Sequence, residues 1–200
     1  MIRIKRILCP IDLSTDANQA LRYALALTQT YEAELVVCYC ATTAEVVGET
    51  SYLGGGTTRG VEISYALSRG RAKDLFEGSL LRILGPVAFA KLEWEALVIE
   101  SEDVGEAISE TAREKDIGLI VMRSRRRPHR AAVLGSTAES VSRTAPCPVL
   151  VTHSDEREWV DQPAGEILLE RLLVAYDFSD HSELALRYAL SLAQEHQAEL

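Results

Sequence analysis

The chain repeats itself. Residues 6–35, RILCPIDLSTDANQALRYALALTQTYEAEL, recur as residues 171–200, RLLVAYDFSDHSELALRYALSLAQEHQAEL, without a gap and at an offset of 165, and half of the thirty aligned positions are identical. ALRYAL stands in both copies. Such self-similarity constrains the fold before any single motif does, because the repeated segment has to open a structural unit that is used more than once. The sequence carries one repeat and the opening of a second.

Within the first copy the apolar period switches between strand-like and helix-like runs. Ile4 to Asp12 reads as a short buried strand, and Ser14 or Thr15 is placed to cap a helix running to about Tyr31. ELVVCYCA (34–41) is a second strand, and Thr42 to Gly70, rich in Gly, Thr and Ser, reads mostly as loop. Ala72 to Leu84 reads as helix, Leu92 to Glu100 as strand, and Val104 to Lys115 as helix with Val104, Ala107, Ile108 and Ala112 on its apolar face. Ile117 to Met122 is a strand, Ser136 to Thr144 a helix and Pro148 to Thr152 a strand. Strands alternating with helices imply crossover connections and a parallel sheet covered on both faces. The expected class is therefore doubly wound α/β.

Composition closes several other routes. A net charge of −9 and a pI near 5.0 make nucleic acid and anionic lipid poor partners for the chain as a whole. No segment reaches the roughly 18 consecutive apolar residues of a membrane helix, so a cytoplasmic protein is expected. Cys9, Cys38, Cys40 and Cys147 lie in apolar strand-like runs, which suits reduced thiols in a reducing compartment. Cys38-x-Cys40 with Cys9 on a neighbouring strand could ligate zinc, but alternate strand cysteines usually pack in the core, and no metal site is assigned. His129, His153, His181 and His196 form no recognisable triad with a Ser or Cys, and Gly54–Gly56 fails as a dinucleotide fingerprint because Arg59 occupies its last glycine position.

Doubly wound sheets bind ligands beyond the carboxyl ends of their strands, where strand order reverses. Asp12, the loop after Met122 and the helix start at Gly135-Ser136 would converge there. Ser136 and Glu139 stand in S-x-x-E spacing, a capping box that fixes the helix start, whose amides and dipole favour an anion. The plainer reading is that Ser136 only caps and Asp12 only starts a turn.

ILCPIDLSTDANQAL, DIGLIVMRSRRR and LGSTAESVSRTAPCPVLVTH together resemble the universal stress protein family, and the repeat makes the chain similar to its tandem members. The resemblance covers 4–41, 104–153 and again 168–200, whereas 42–91 match poorly. It implies a five-stranded parallel sheet between helices, of the adenine nucleotide α-hydrolase-like kind, and frequent dimers. In one branch it also implies an adenine nucleotide held by a glycine-rich loop; members without that loop do not bind ATP. The division that follows is a first domain over 1–154, a linker over 155–167 and the start of an incomplete second domain over 168–200. On this reading the chain is a truncated tandem protein, with Leu184, Tyr188, Ala189 and Leu192 left exposed, or its partial copy docks on another chain or on the first domain.

The family's loop runs Gly, two residues, Gly, nine residues, then Gly-Ser or Gly-Thr. Arg123 and Arg126 stand where the two glycines belong, only Gly135-Ser136 matches, and eight residues rather than nine separate Arg126 from Gly135. Glycines there supply positive φ and let amides reach phosphate with no Cβ in the way. A non-glycine held left-handed costs about 1–2 kcal/mol, and its side chain occupies ligand space. Charge pulls the other way, since Arg123, Arg125, Arg126, Arg127 and Arg130 are able to grip phosphate through forked hydrogen bonds.

The candidate nucleotide-binding residues are Pro10, Asp12, Met122, Arg123, Arg126, Gly135, Ser136 and Thr137, with Asp177 the counterpart of Asp12 in the second copy. The expected function is a non-enzymatic stress-response module that dimerises and binds protein partners, with a degenerate ATP loop and no cofactor. The alternative is an ATP or AMP sensor, or a slow ATPase, using an altered arginine pocket or the second copy. By resemblance CPVLVTH is an edge strand, so pairing through Val149 to Thr152 is expected, either between two chains or between the two copies.

Overall fold

In the computed structural model, residues 3–12, 18–41, 58–124, 135–153, 158–161 and 165–200 are described. Five strands, β1 (Arg6–Pro10), β2 (Glu34–Ala41), β3 (Trp94–Glu100), β4 (Leu119–Arg123) and β5 (Val149–Thr152), form one parallel sheet in the order β3-β2-β1-β4-β5. The connections between successive strands carry α1 (Asn18–Tyr31), α2 (Thr58–Phe89), α3 (Val104–Glu114) and α4 (Ser136–Thr144), and α5 (Asp180–His196) follows. The chain is thus doubly wound α/β, as its alternating pattern implies.

Alternate strand residues sort cleanly onto the two faces, as a two-residue side-chain period requires. Ile7, Cys9, Leu35, Val37, Leu119 and Val121 pack with α1 and with Phe76 and Leu80 of α2. Leu8, Val36, Cys38, Ile120 and Met122 pack on the other face with Ile108 and Ala112 of α3 and Ala138 and Val141 of α4. Because β1 and β4 are buried on both faces, they read as continuous apolar runs in the sequence.

Three helices end in the same way. Glu32, Asp116 and Gln197 have φ of 50°, 51° and 55°, and the next amide reaches back five residues: Ala33 N to Thr28 O, Ile117 N to Ala112 O and Ala198 N to Ala193 O, each 2.9 Å. This left-handed terminator satisfies last-turn carbonyls and turns the chain. In α2 the break is internal. Gly85 takes φ 72°, ψ 164°, a conformation suited to glycine, and Pro86 restarts the helix at a position that needs no amide.

The structure departs from the sequence reading in three places. Residues 58–70, expected mostly as loop, are the first turns of α2, since a helix anchored by Phe76 and Leu80 propagates at the gain of one bond per residue. The first strand of the second copy does not form: residues 168–176 make only a single bridge, Arg171 with Glu199. A strand exists through its neighbours, and a single rung does not make one. Among the apolar residues of α5, Leu184 is exposed as expected, but Ala189 is buried and Tyr188 and Leu192 are partly covered. The fully open apolar side chains are instead Leu173 and Phe178, just ahead of the helix.

The segment expected as a linker carries a small hairpin. Asp161 N donates to Glu166 O and Leu168 N to Trp159 O, at 2.8 and 2.7 Å. Trp159 stacks on Tyr23 of α1 with centroids 4.5 Å apart, and Val160 and Ile167 join the core beside it. Arg22 holds Glu158 at 2.6 Å, and Tyr31 donates to Glu195 of α5 at 2.8 Å. Among the described residues no helix is long and apolar enough to cross a membrane.

Candidate functional site

Strand order reverses between β1 and β4: from β1 the chain builds outward through β2 and β3, then returns to lay β4 and β5 on the other side. The crevice beyond their carboxyl ends is where such a sheet takes a ligand. Ile7 lies level with Leu119 and Leu8 with Ile120, so continuing that register brings Pro10 level with Met122. Ile11 N donates to Cys38 O at 2.9 Å and keeps the chain on the sheet one residue past β1, and Asp12 follows, exposed. Met122 is buried in the core under α4, forming floor rather than wall.

Arg123 closes β4 in register with Thr152, and its Nε is sealed from solvent. Its backbone is extended, whereas the described non-glycine residues with positive φ are Glu32, Asp116, Phe178 and Gln197. The strain expected of an arginine at this position is therefore not present there; what the arginine contributes is volume and charge. Ser124 N donates to Thr152 O, and the Ser124 hydroxyl, 3% exposed, accepts from Gly135 N at 2.9 Å. These bonds pin the start of α4 against the end of β4. Arg126, with the rest of 125–134, lies outside the described residues, as do Ser14 and Thr15.

The capping box expected at Ser136 does not form. Gly135 is the N-cap, with φ −66° and ψ 154°, Ser136 is the first helical residue, and Glu139 turns outward to Arg143 at 3.0 Å. Glycine offers no side-chain oxygen, so the first turn of α4 at Ser136 and Thr137 has no side-chain cap from Gly135. With the dipole behind them its amides favour an anion. The helix is held in place by α3. Ser109 and Thr144 share a 2.7 Å hydroxyl contact, Arg113 donates to Thr144 O at 2.7 Å, and Gly105 sits directly against Ser140. Thr152, 1% exposed, has a hydroxyl with no hydrogen-bond partner among the described residues. Neither Ser124 nor Thr152 stands out in the sequence, where both read as ordinary strand-end residues.

The universal stress protein family's sequence profile matches residues 3–153. The chain belongs to the universal stress protein family. Its fold is shared with a universal stress protein from Archaeoglobus fulgidus DSM 4304, 23% identical over 99% of this chain and 64% of that one, with a TM-score of 0.66. It is also shared with UspA from Lactobacillus plantarum, 22% identical over 76% and 99% of the two chains, TM-score 0.52. A universal stress protein in complex with cAMP is 16% identical over 77% and 100%, TM-score 0.50. No curated protein matches the sequence.

In this universal stress protein Pro10, Asp12, Met122, Arg123, Gly135, Ser136 and Thr137 thus share the carboxyl side of the sheet. Asp177 does not join them. Its Oδ1 accepts from Ser179 N at 3.0 Å ahead of α5, where Ser179 is the N-cap. The Ser179 hydroxyl, then its amide and the Ser182 hydroxyl, hold the Asp177 carboxyl down to about 2, so its charge is used in a turn. The four cysteines are free thiols. Cys9 faces α1 and Cys38 faces α3, so the three-thiol arrangement weighed from sequence is split by the sheet, and no metal-binding group of three occurs among the described residues. Burial pushes Cys9 up to about 12 and Cys147 up to about 11. A hydrogen bond between Cys38 and Cys40 lowers Cys40 and raises Cys38.

Proposed function

We propose that this universal stress protein is a non-enzymatic stress-response module that works by pairing and by binding protein partners, and that residues 1–154 no longer hold ATP in the glycine-cradled manner. One observation carries the reading. At the crevice between β1 and β4 the place of the first loop glycine is taken by Arg123 at the end of β4, which brings a bulky side chain to a position where a glycine would leave main-chain amides open to phosphate. Titration calorimetry of the whole chain with ATP and with AMP tests it. No one-to-one binding in the micromolar range is the expected result, and stoichiometric micromolar binding that Asp12→Ala abolishes would overturn it.

A second reading, an adenine-nucleotide sensor or slow ATPase, draws support from the uncapped amino end of α4 and from the relative solved with cAMP. Thermal shift separates the two, because a ligand at a hundred times its dissociation constant stabilises by about 2.7 kcal/mol. For pairing, β5 lies at the sheet edge with Val149, Leu150 and Val151 partly exposed, an edge open to a second chain or to a second domain. Sedimentation should find a concentration-dependent dimer; a monomer at high concentration would count against pairing between chains. The net charge of −9 disfavours nucleic acid as the partner.

A further inference from the structure

The hexapeptide ALRYAL occurs twice, and the molecule shows what seats on the first. In α1 (residues 20–25) Trp159 lies flat on the Tyr23 ring, with centroids 4.5 Å apart and planes 9° apart, and the preceding Glu158 holds Arg22 at 2.6 Å. Tyr23 is thereby closed from solvent, 1% exposed. In α5 the same hexapeptide (185–190) carries Arg187 and Tyr188 at the matching places, with Leu184 where α1 has Gln19. Residues three and four apart share a helix face, so Leu184 lies beside both Arg187 and Tyr188. Leu184 is 53% exposed, the Arg187 side chain is 74% exposed and reaches Glu183 only at 3.9 Å, and Tyr188 is partly exposed. The bond from Tyr31 to Glu195 holds the far end of the helix against α1, and these three residues stand about two to three turns ahead of it.

We propose that Leu184, Arg187 and Tyr188 form a docking surface for a protein segment that presents a glutamate followed by a tryptophan. The tryptophan stacks on the Tyr188 ring with Leu184 against its edge, and the carboxylate meets the fork of the Arg187 guanidinium. Leu184 makes this seat more apolar than the first, where the corresponding residue is Gln19. An exposed ion pair alone contributes little, so the aromatic stack supplies most of the affinity and the charge selects the partner. The surface fits a partner other than a second copy of this chain, because the chain's own Glu158 and Trp159 are engaged on Arg22 and Tyr23. The inference rests on the partner binding proposed above and gives that partner its chemistry; it depends neither on how the crevice treats nucleotide nor on pairing through β5.

The test is an NMR titration of the full chain with a backbone-cyclised peptide of residues 157–168, REWVDQPAGEIL, the segment that seats on the first ALRYAL. Saturable shifts at Leu184, Arg187 and Tyr188 are expected, with the Tyr23 signals unmoved. Tyr188→Ala and Arg187→Glu, checked for fold by circular dichroism, should each weaken binding about tenfold or more. Glu158→Arg in the peptide should restore binding to the Arg187→Glu chain. Absence of saturable binding, shifts confined to Arg22 and Tyr23, or failure of the charge exchange to restore binding would overturn the proposal. Should Tyr188→Ala fail to fold, the charge exchange at the exposed Arg187 still decides. Any of these failures would leave the calorimetry with ATP and the sedimentation result standing, so it is separable from a failure of the proposed function.

Discussion

Residues 6–35 and 171–200 are identical at half of their positions and lie in opposite surroundings. Their local geometry agrees at several positions at the offset of 165. Glu32 and Gln197 are both left-handed, Arg6 pairs with Glu34 as Arg171 does with Glu199, and Glu34 N bonds Lys5 O as Glu199 N bonds Glu170 O. Burial does not agree. Leu8 is 0% exposed and its counterpart Leu173 is 100%; Leu25 is 2% exposed and Leu190 is 44%. Helix ends, turns and the first rung are therefore set by about thirty residues of local sequence, while a core is set by what lies alongside. In the first copy β1 is flanked by β2 and β4 and covered by α1 and α3; the second copy has one rung and one helix.

The comparison breaks most sharply at those two leucines. Leu8→Ala should cost about 2–5 kcal/mol in chemical denaturation, as lost transfer energy plus a cavity. Leu173→Ala should stay within about 0.5 kcal/mol of the wild type. Equal losses at the two sites would mean that the second copy is packed in solution.

Next comes a difference in proton linkage. Burial raises Cys9 from its ordinary 9.0 to about 12, and the second copy has Val174 at that position. The folded state keeps a proton that the unfolded chain releases above 9. This stability is present below about pH 9 and is lost as pH climbs toward 12, by about 1.4 kcal/mol per pH unit. Cys9→Ala should flatten the slope of stability against pH in that window by one proton; an unchanged slope would show that the thiol is not shielded when folded.

Pushing α3 off the sheet would make the first copy resemble the second. A Cβ at Gly105 would meet Ser140 Oγ at 2.5 Å and its Cβ at 2.6 Å, so Gly105→Ala must move α3 or α4. A loss of about 1–3 kcal/mol is expected. Because α4 carries Gly135 to Ser124, the same substitution should raise hydrogen exchange at the Gly135 amide. Stability and exchange both unchanged would remove α3 as the element that positions the crevice.

Legibility in the sequence followed the same division. ELVVCYCA and STAESVSRT gave β2 and α4 at their observed limits, because each pattern is local and bounded by a helix terminator or by Gly135 and Ala145-Pro146. The strand expected from RLLVAY was not there, although RILCPI makes one, since only neighbours decide. The candidate residues around the crevice were readable from the resemblance. The Ser124–Gly135 bond and the burial of the Arg123 Nε were not, as each depends on how the sheet places distant residues. Ser136 and Glu139 misled for the opposite reason: their spacing suits a capping box, but Gly135 takes the cap and Arg143 takes the glutamate.

The smallest effect concerns the contact where the two copies meet. Tyr31 donates to Glu195 across 2.8 Å in a partly buried setting, and burial, then that hydrogen bond, then the charge of Glu195 raise the tyrosine's pKa. If this bond holds the end of α5 against α1, Tyr31→Phe should cost about 1 kcal/mol. The loss should appear as faster hydrogen exchange in the last turns of α5, with the β1 amides unchanged, since local opening of α5 exposes nothing of the sheet. Glu195→Gln keeps the shape and removes the charge, and a double-mutant cycle of the two substitutions should return a coupling of the same sign. Zero coupling, or β1 amides that exchange faster alongside α5, would mean that the second copy is not an appendage resting on the first but part of the same cooperative unit.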